Sequence, residues 1–209
     1  MDKNQNWIEF FDDLAGQDLK HPHQTAGWKA LGPEQWRELV VDLLRDRVCA
    51  DDAVFEAGCG VLALLREVQS LIMGVSIAGM EPALAVMERV YPMLAPHERE
   101  RFFVGRLPGG CAGLPDRAYD VTLCNSVLQY MDGSVIEASI RELLRITKLG
   151  RHLILGGICD PAYADKIEEA VRTNWEGSAI DGHALLARTY IDRSWWARFE
   201  TEGYRVEIH

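Results

Sequence analysis

The chain has 209 residues, of which 48% are hydrophobic and 26% are charged, as in an ordinary globular domain with a sizeable core. Its formal net charge of −10 and its pI of about 5.1 imply an acidic surface that repels phosphate backbones and anionic lipids. We therefore expect neither nucleic acid nor a membrane as a partner, and no apolar run approaches the roughly 20 residues of a membrane span.

The cysteines and the N-terminus both favour a cytoplasmic protein. There are five cysteines, and no pair has the C-x-x-C spacing of a zinc site or a redox dithiol, so we expect no metal. An odd count in a chain of this size is typical of reduced thiols in a cytosol. The segment from Met1 to Gln17 mixes charged and apolar residues and lacks the apolar core of a signal peptide. The sequence leaves the oligomeric state open.

The first fifty residues predict two helices that precede the core. In each helix the apolar residues recur at the spacing of one helix face, and Pro33 is tolerated at the first position of the second helix. The apolar faces are Trp7, Phe10, Phe11 and Leu14 in the first helix, and Trp36, Leu39, Val40, Leu43 and Leu44 in the second. We interpret residues 1–50 as a helical lid that excludes water from a site in the core.

From residue 53 onward, strands and helices alternate. Strands are predicted over 53–57, 75–79, 101–104, 119–124, 152–158 and 204–208, and helices over 64–71, 83–90, 135–146, 162–175 and 194–202. The alternation predicts an α/β fold: a doubly wound, mostly parallel, Rossmann-like sheet with helices on both faces. Such sheets bind ligands beyond the carboxyl ends of their strands, so the loops that follow the strands are the candidate sites.

The loops after the first two strands fit a cofactor that contains a nucleoside. The glycines of Gly58-Cys59-Gly60 let a ligand approach the backbone, and the helix that follows offers free N–H groups. Glu81, at the end of the second strand, can accept hydrogen bonds from both hydroxyls of a ribose. Its spacing from Gly58 is close to the roughly 20 residues of dinucleotide-binding folds. A nicotinamide-dependent dehydrogenase could also use this layout, with Ala63 in place of the third glycine of its motif.

Four motifs occur in a fixed order along the predicted core. Glu56 to Gly60 has the pattern acid-x-Gly-x-Gly, and Gly79 to Glu81 has the pattern Gly-x-acid. Asp120 lies near the start of the fourth strand, and Asn125-Ser126 follows that strand. Leu143 to Gly150 ends a helix before the fifth strand. Over residues 53–158 the chain thus resembles the class I S-adenosylmethionine-dependent methyltransferases.

The resemblance implies a cofactor, S-adenosylmethionine, whose product is S-adenosylhomocysteine, and a role for each matching loop. Glu56 and the glycine turn would hold the methionine portion, and Glu81 the ribose. Pro82 and Leu107 would flank the adenine, and Asn125 and Ser126 would lie beside the sulfonium. The expected cofactor-binding residues are Glu56, Ala57, Gly58, Cys59, Gly60, Glu81, Pro82, Arg106, Leu107, Asn125 and Ser126. The resemblance also divides the chain into the lid at 1–50, a cofactor-binding core at 51–160, and an acceptor-side insertion with a last strand at 161–209.

The sequence departs from the family pattern at several positions. Leu62 stands where a third glycine is common, Arg106 where an acid is common, and Lys148-Leu149-Gly150-Arg151 replaces the usual turn before the fifth strand. These departures leave open a non-catalytic domain with weakened cofactor binding. The family usually closes its sheet with an antiparallel hairpin, and no segment remains here for its second strand, so we expect a shortened sheet.

The candidate catalytic residues are His21, His23, Tyr130 and His183. A histidine titrates near neutrality and could take a proton from the acceptor, although each of these could equally be a solvated loop residue. Tyr130 follows the fourth strand and could face the transferred methyl group, or lie buried with its hydroxyl bonded elsewhere. Aromatic residues that could form a wall around an acceptor, or belong to the core, are Trp7, Phe10, Phe11, Trp28, Trp195 and Trp196.

The sequence therefore predicts methyl transfer from S-adenosylmethionine to a small molecule, at a nitrogen, oxygen or carbon atom that it does not specify. The acidic charge argues against a nucleic-acid acceptor. Two alternatives remain: a non-catalytic binding module with the same fold, and a dinucleotide-dependent oxidoreductase. The second would need a separate substrate domain, for which the chain leaves little room.

Overall fold

The fold is a five-stranded parallel sheet with helices on both faces, seen in a computed structural model that describes residues 3–16, 21–25, 28, 30–175 and 188–208. The strands are β1 (Ala53–Ala57), β2 (Ser76–Glu81), β3 (Phe102–Val104), β4 (Tyr119–Asn125) and β5 (Thr147–Gly156). Their order is β3-β2-β1-β4-β5, and every pairing is parallel. The predicted doubly wound, Rossmann-like fold is confirmed.

The helices fall close to the predicted segments. They are α1 (Lys3–Ala15), α2 (Pro22–Thr25), α3 (Pro33–Leu44), α4 (Ala63–Leu71), α5 (Leu84–Val90), α6 (Gly133–Ile146), α7 (Ala164–Trp175) and α8 (Ala197–Thr201). Pro33 stands at the start of α3, as expected, because its missing N–H has no partner in a first turn. Among the residues that the structure describes, no helix is long and apolar enough to cross a membrane.

The two faces of the sheet bury two separate apolar clusters. Successive strand residues point to opposite faces, so Val54 packs with α3, α4 and α5 while its neighbour Phe55 packs with α6. Both residues are fully buried. Strands buried on both sides need continuous apolar runs, which is what made these segments recognisable in the sequence.

The chain reverses its direction of winding between β1 and β4. It runs outward from β1 through β2 to β3, and then returns to place β4 on the other side of β1. In open parallel sheets, ligands bind beyond the carboxyl ends of the strands at such a switch point. The loops at 58–60 and 126–131 follow the two strands that flank it.

The first helix lies over this edge of the sheet. The ring centroids of Trp7 and Tyr130 are 4.1 Å apart, and those of Phe11 and Tyr130 are 5.6 Å apart. At the other side of α1, Asp12 Oδ1 accepts a hydrogen bond from the backbone N–H of Ala85 in the first turn of α5, at 2.9 Å. Helix α1 is thus tied both to the turn after β4 and to α5.

Two strand predictions need correction. The fifth strand spans Thr147–Gly156, earlier than expected, because it continues directly from α6 and shifts register against Tyr119 and Val121. Residues 204–208 form no strand. Only Val206 packs partly against the core, and the segment is tied at the surface by Glu207, which pairs with Arg47 at 3.3 Å and Arg205 at 2.6 Å.

Candidate functional site

A cavity opens at the carboxyl edge of the sheet, at the switch point. It is lined by the ends of β1, β2 and β4 together with the N-terminal helices. The lining residues are Trp7, Ile8, Phe11, Trp28, Trp36, Glu56, Gly58, Cys59, Gly60, Val61, Ala63, Leu64, Met80, Glu81, Pro82, Val86, Gly105, Arg106, Leu107, Asn125, Ser126, Val127, Tyr130 and Met131. Most of them are apolar, and a few polar groups converge among them, as in many small-molecule sites.

Glu56 is a buried carboxyl group with an unsatisfied oxygen. It sits near the end of β1, is only 3% exposed, and its Oε2 atom has no hydrogen-bond partner in the described part of the chain. Burial, and secondly the neighbouring carboxylate of Glu81, raise the pKa of Glu56 well above its usual value. A buried acid without a partner is costly, so this position favours a ligand that brings a cation or a hydrogen-bond donor.

Glu81 ends β2, and its carboxylate joins the glycine loop to the start of α5. Its Oε2 accepts from the N–H of Gly60 and its Oε1 from the N–H of Ala83, both at 3.0 Å. Burial outweighs these two bonds and raises the pKa of Glu81 to about 7. Each carboxylate oxygen has more than one lone pair, so Glu81 can accept further hydrogen bonds from a ligand.

The glycine loop is folded back on β2. The N–H groups of Gly58 and Cys59 donate to the carbonyl of Met80, at 2.8 and 3.0 Å. Gly58 has φ +75°, and a Cβ atom there would collide with the side chain of Val127. A Cβ atom on Gly79 would lie 2.9 Å from Cys59 Cβ, so that glycine lets the loop approach β2. These two glycines are required by contact and not only by flexibility.

The thiol of Cys59 fills space beneath the loop. It is 4% exposed, and burial, with the carboxylates of Glu81 and Glu56, raises its pKa well above the usual value. The thiol therefore stays protonated and is a poor nucleophile. Cys59 is therefore a small residue that packs beneath the loop and not a nucleophile.

Leu62 takes the backbone conformation that the missing glycine would favour. It has φ +63°, in the left-handed region, at the N-cap of α4. That conformation costs a leucine about 1–2 kcal/mol. The side chain is fully buried in the core, and burying a leucine contributes about 1.5–3 kcal/mol. The departure from the family pattern thus preserves the turn, because packing offsets the strain.

Three polar residues line the cavity after β4. Asn125 ends the strand, and Ser126 follows with φ +58° and its N–H donating to the carbonyl of Gly156 at 2.9 Å. Burial raises the pKa of Tyr130, and the neighbouring Arg188 and Gln129 lower it without overcoming the effect of burial. The phenol is therefore protonated at neutral pH, so Tyr130 can donate a hydrogen bond but cannot act as a base.

Sequence reasoning missed the residues that support Tyr130. The guanidinium of Arg188 lies 5.4 Å from the ring centroid of Tyr130 and 6.0 Å from that of Trp7, and it donates to Gln129 Oε1. The Sγ of Cys159 also donates to that oxygen, at 3.0 Å. No local pattern could have found this cluster, since its members come from segments far apart in the chain.

The structure brings most of the predicted site residues together. Ten of the eleven expected cofactor-binding residues line the cavity; Ala57 is buried in β1 beneath it and does not. Of the aromatic candidates, Trp7, Phe11 and Trp28 line it. Phe10 packs in a cluster with Trp7 and Val171, and Trp195 and Trp196 pack on the α6 face. These placements leave the role of each residue a prediction.

The histidines are placed differently. His23 is buried, donates from Nε2 to the carbonyl of Leu31 at 2.8 Å, and stacks on Trp36 at 5.4 Å between ring centroids. His21 stacks on His23 at 5.5 Å, and neither histidine lines the cavity. His183 lies outside the described residues. Of the three catalytic candidates among the described residues, Tyr130 alone lines the cavity.

The sequence matches no family profile and no curated protein. Solved structures nevertheless share the fold. A protein of Haloferax volcanii, solved in complex with the Trm112 methyltransferase activator, aligns with a TM-score of 0.62 and 18% identity over 92% of this chain and 75% of that one. A methyltransferase of Geobacter sulfurreducens, bound to S-adenosyl-L-homocysteine, aligns with a TM-score of 0.56 and 16% identity over 96% and 72%.

A third similar structure has a small-molecule substrate. The geranyl diphosphate C-methyltransferase of Streptomyces coelicolor A3(2), in complex with Mg²⁺, geranyl diphosphate and S-adenosyl-L-homocysteine, aligns with a TM-score of 0.57 and 16% identity, over 91% of this chain and 67% of that one. The chain therefore has the fold of the class I S-adenosylmethionine-dependent methyltransferases.

Proposed function

We propose that this chain binds S-adenosylmethionine in the cavity and transfers the methyl group to a small-molecule acceptor. The observation that carries the proposal is the buried oxygen of Glu56, which has no partner among the described residues. It lies beside the glycine loop, in a cavity that also contains Glu81. The two acids match the hydrogen-bond donors of the cofactor, which are an ammonium and a pair of ribose hydroxyls. The glycine loop leaves room for the narrow chain that joins these two parts of the cofactor.

The residues at the strand ends would hold the cofactor in parts. Glu56 would accept from the ammonium of the methionine portion, and Glu81 from the ribose hydroxyls. Pro82 and Leu107 would flank the adenine with apolar surface. Asn125 and Ser126 would lie at the methionine end, next to Tyr130. A bound ammonium would also relieve the repulsion between the two carboxylates.

Bound S-adenosylmethionine supplies an electrophilic methyl group on a sulfonium. The chain's own residues then have three tasks: to align an acceptor, to exclude water and to position hydrogen bonds. Tyr130 would donate a hydrogen bond to the acceptor or to the cofactor's methionine end. His21 and His23 lie outside the cavity lining, and this argues against a histidine of the N-terminal segment as the base.

The N-terminal residues 1–50 would serve as the lid. Helix α1 and helix α3 both contribute side chains to the cavity, and α1 is tied to the turn after β4 through Tyr130. The segment 161–209 would support the acceptor side, because Arg188 contacts the ring of Trp7 in the lid. Structural similarity to a geranyl diphosphate methyltransferase supports a small-molecule acceptor.

Calorimetric titration with S-adenosylhomocysteine tests the cofactor assignment. We expect binding to the wild type and none to Gly58→Val, since that side chain would fill space taken by Val127 and force φ +75° on a β-branched residue. Gly109→Val is the matched control, because a Cβ atom there meets nothing within 4 Å. Circular dichroism would show that both variants fold.

If the wild type gives no binding heat, the cofactor assignment is refuted. If Gly58→Val binds S-adenosylhomocysteine as tightly as Gly109→Val does, the proposed location of the site is refuted. A methyl-donor assay against pooled metabolites, read by mass shift, then tests turnover. Binding without any methylated product would favour the non-catalytic module.

A further inference from the structure

A polar cluster adjoins the cavity at the carboxyl ends of β4 and β5. Gln129 follows β4, Cys159 follows β5, and residues 188–191 run beside both. The backbone N–H of Thr189 donates to the carbonyl of Gln129, and that of Ile191 to the carbonyl of Cys159, each at 2.8 Å. Alternate N–H groups of this segment thus point to the strand ends, as in an extended chain. The segment lies at the edge where parallel sheets bind their ligands.

Two buried polar atoms of this segment have no hydrogen-bond partner in the described part of the chain: Arg188 Nε and the hydroxyl oxygen of Tyr190. Side chains two residues apart in an extended chain lie on one side of it. Burial raises the pKa of Tyr190, and the guanidinium of Arg188 is near enough to oppose that effect. Both groups can donate. A buried donor without an acceptor is costly, so the pair favours a ligand that brings accepting oxygens.

Neutral groups hold the guanidinium of Arg188 beside the cavity. Its Nη1 donates to Gln129 Oε1, and the guanidinium lies 5.4 Å from the ring centroid of Tyr130 and 6.0 Å from that of Trp7. Both rings line the cavity, and Arg188 and Tyr190 adjoin that lining. Among the residues that the structure describes, no carboxylate forms an ion pair with Arg188. Its positive charge is therefore available to an anion.

The acids near the cluster do not cancel this charge. Asp160 pairs with Arg193 at 2.8 Å, and Glu168 pairs with Arg172 at 3.5 Å. Asp165, on the same helix as Glu168, is exposed, so water and salt screen it. The guanidinium thus remains the uncompensated charge of the cluster.

We infer that the methyl acceptor carries a carboxylate, and that Arg188 and Tyr190 bind it. The inference rests on the proposed function, because the acceptor must lie within reach of the cofactor's methyl group. One carboxylate oxygen would accept from Arg188 Nε and the other from the Tyr190 hydroxyl. Hydrogen bonds between charged partners are roughly twice as strong as neutral ones. One cation and two donors suit a monoanion with two oxygens, and the rest of the acceptor would lie along the rings of Trp7 and Tyr130.

A matched pair of probes tests the charge preference. We would titrate 2-naphthoate and 2-naphthamide, which share one ring system and differ in charge, into the wild type saturated with S-adenosylhomocysteine, and measure binding by calorimetry. We expect 2-naphthoate to bind at least about tenfold more tightly than the amide. The net charge of −10 disfavours an anion on the rest of the surface, so such a preference requires a local cation. Equal or weaker binding of 2-naphthoate would overturn the inference, and so would its failure to bind.

Variants locate the carboxylate. Arg188→Met keeps a long side chain without the cation and should abolish the preference for 2-naphthoate. Tyr190→Phe removes one hydroxyl and should weaken 2-naphthoate about three- to tenfold. Arg205→Met is the control for loss of one positive charge, because the Arg205 side chain is 88% exposed, and it should keep the preference. A preference that survives in Arg188→Met, or falls equally in Arg205→Met, would overturn the inference. Unchanged binding in Tyr190→Phe would overturn the assignment of that hydroxyl.

Affinity for S-adenosylhomocysteine, measured on the same samples, separates the two proposals. If the cofactor product fails to bind the wild type, the proposed function is wrong. If it binds and 2-naphthoate shows no preference over the amide, only the inference about the acceptor is wrong. Retained affinity for the cofactor product in Arg188→Met shows that this variant is folded. If Arg188→Met loses that affinity, Tyr190→Phe decides, since the removal of an unpartnered hydroxyl should leave urea unfolding of the unliganded protein unweakened.

Discussion

Two buried carboxyl groups in this molecule have opposite surroundings. Glu98 and Glu81 are each 6% exposed. Glu98 receives two hydrogen bonds from Arg66, at 3.0 and 3.1 Å, one from Gln69 at 3.2 Å and one from the N–H of Ala95 at 2.9 Å. Glu81 receives only two backbone N–H groups, and the acid nearest to it in the cavity, Glu56, has an oxygen with no partner in the described chain.

The pKa values follow the surroundings. Desolvation acts on both groups, but at Glu98 the bonds from Arg66, Ala95 and Gln69 overcome it and lower the pKa to about 2. At Glu81 desolvation prevails and the pKa is raised to about 7. An acid that the protein itself satisfies is a structural element, whereas an acid that the protein leaves short of donors is suited to a ligand.

The largest expected effect is a pH dependence of stability that comes from Glu81. Folded Glu81 keeps a proton that the unfolded chain, with a pKa near 4.5, has released, so raising the pH favours unfolding. The unliganded protein should lose about 3 kcal/mol of unfolding free energy relative to Glu81→Gln as the pH rises through this window. Urea unfolding of both proteins, below pH 4.5 and above pH 7, measures it. A constant difference would show that Glu81 is not the source.

The next effect concerns ligand affinity. Glu81→Ala should weaken S-adenosylhomocysteine binding by about 2–3 kcal/mol, roughly 30- to 150-fold, because hydrogen bonds to a charged acceptor are lost. Calorimetry gives the affinity, and the circular dichroism spectrum should remain that of the wild type. The matched variant Glu98→Gln should bind like the wild type. If both variants lose affinity equally, the distinction between the two acids fails.

The smallest effect is on the structural acid. Glu98→Gln should lower the unfolding free energy by about 2 kcal/mol at neutral pH, less than for a fully buried pair, since the Arg66 side chain is 34% exposed and can be hydrated. Because the folded pKa of Glu98 is depressed, the wild type keeps this advantage above pH 4.5 and loses it as the pH falls towards 2. Urea unfolding across that range checks it; an advantage that persists in acid would be the contrary result.

Local patterns in the sequence predicted much of the core. The strand Ala53–Ala57 has the predicted bounds, and the glycine loop and Glu81 share the cavity expected for them. The prediction was wrong at 204–208, where alternating residues form no strand. In this segment only Val206 packs against the core. A strand also needs a neighbouring strand to pair with, and an alternating pattern does not show whether one is present.

By itself the sequence determined most of the elements, the doubly wound class of the sheet and the loops that carry acids and glycines, because period, turn residues and strand-end motifs act over a few neighbouring residues. Only the tertiary structure decided which polar groups are satisfied. It gave Glu98 the cation of Arg66, left Glu56 with an unpartnered oxygen, bonded His23 to Leu31 and set Arg188 on the ring of Tyr130. Hydrogen bonding and desolvation depend on which distant segments meet, and a one-dimensional pattern does not contain that information.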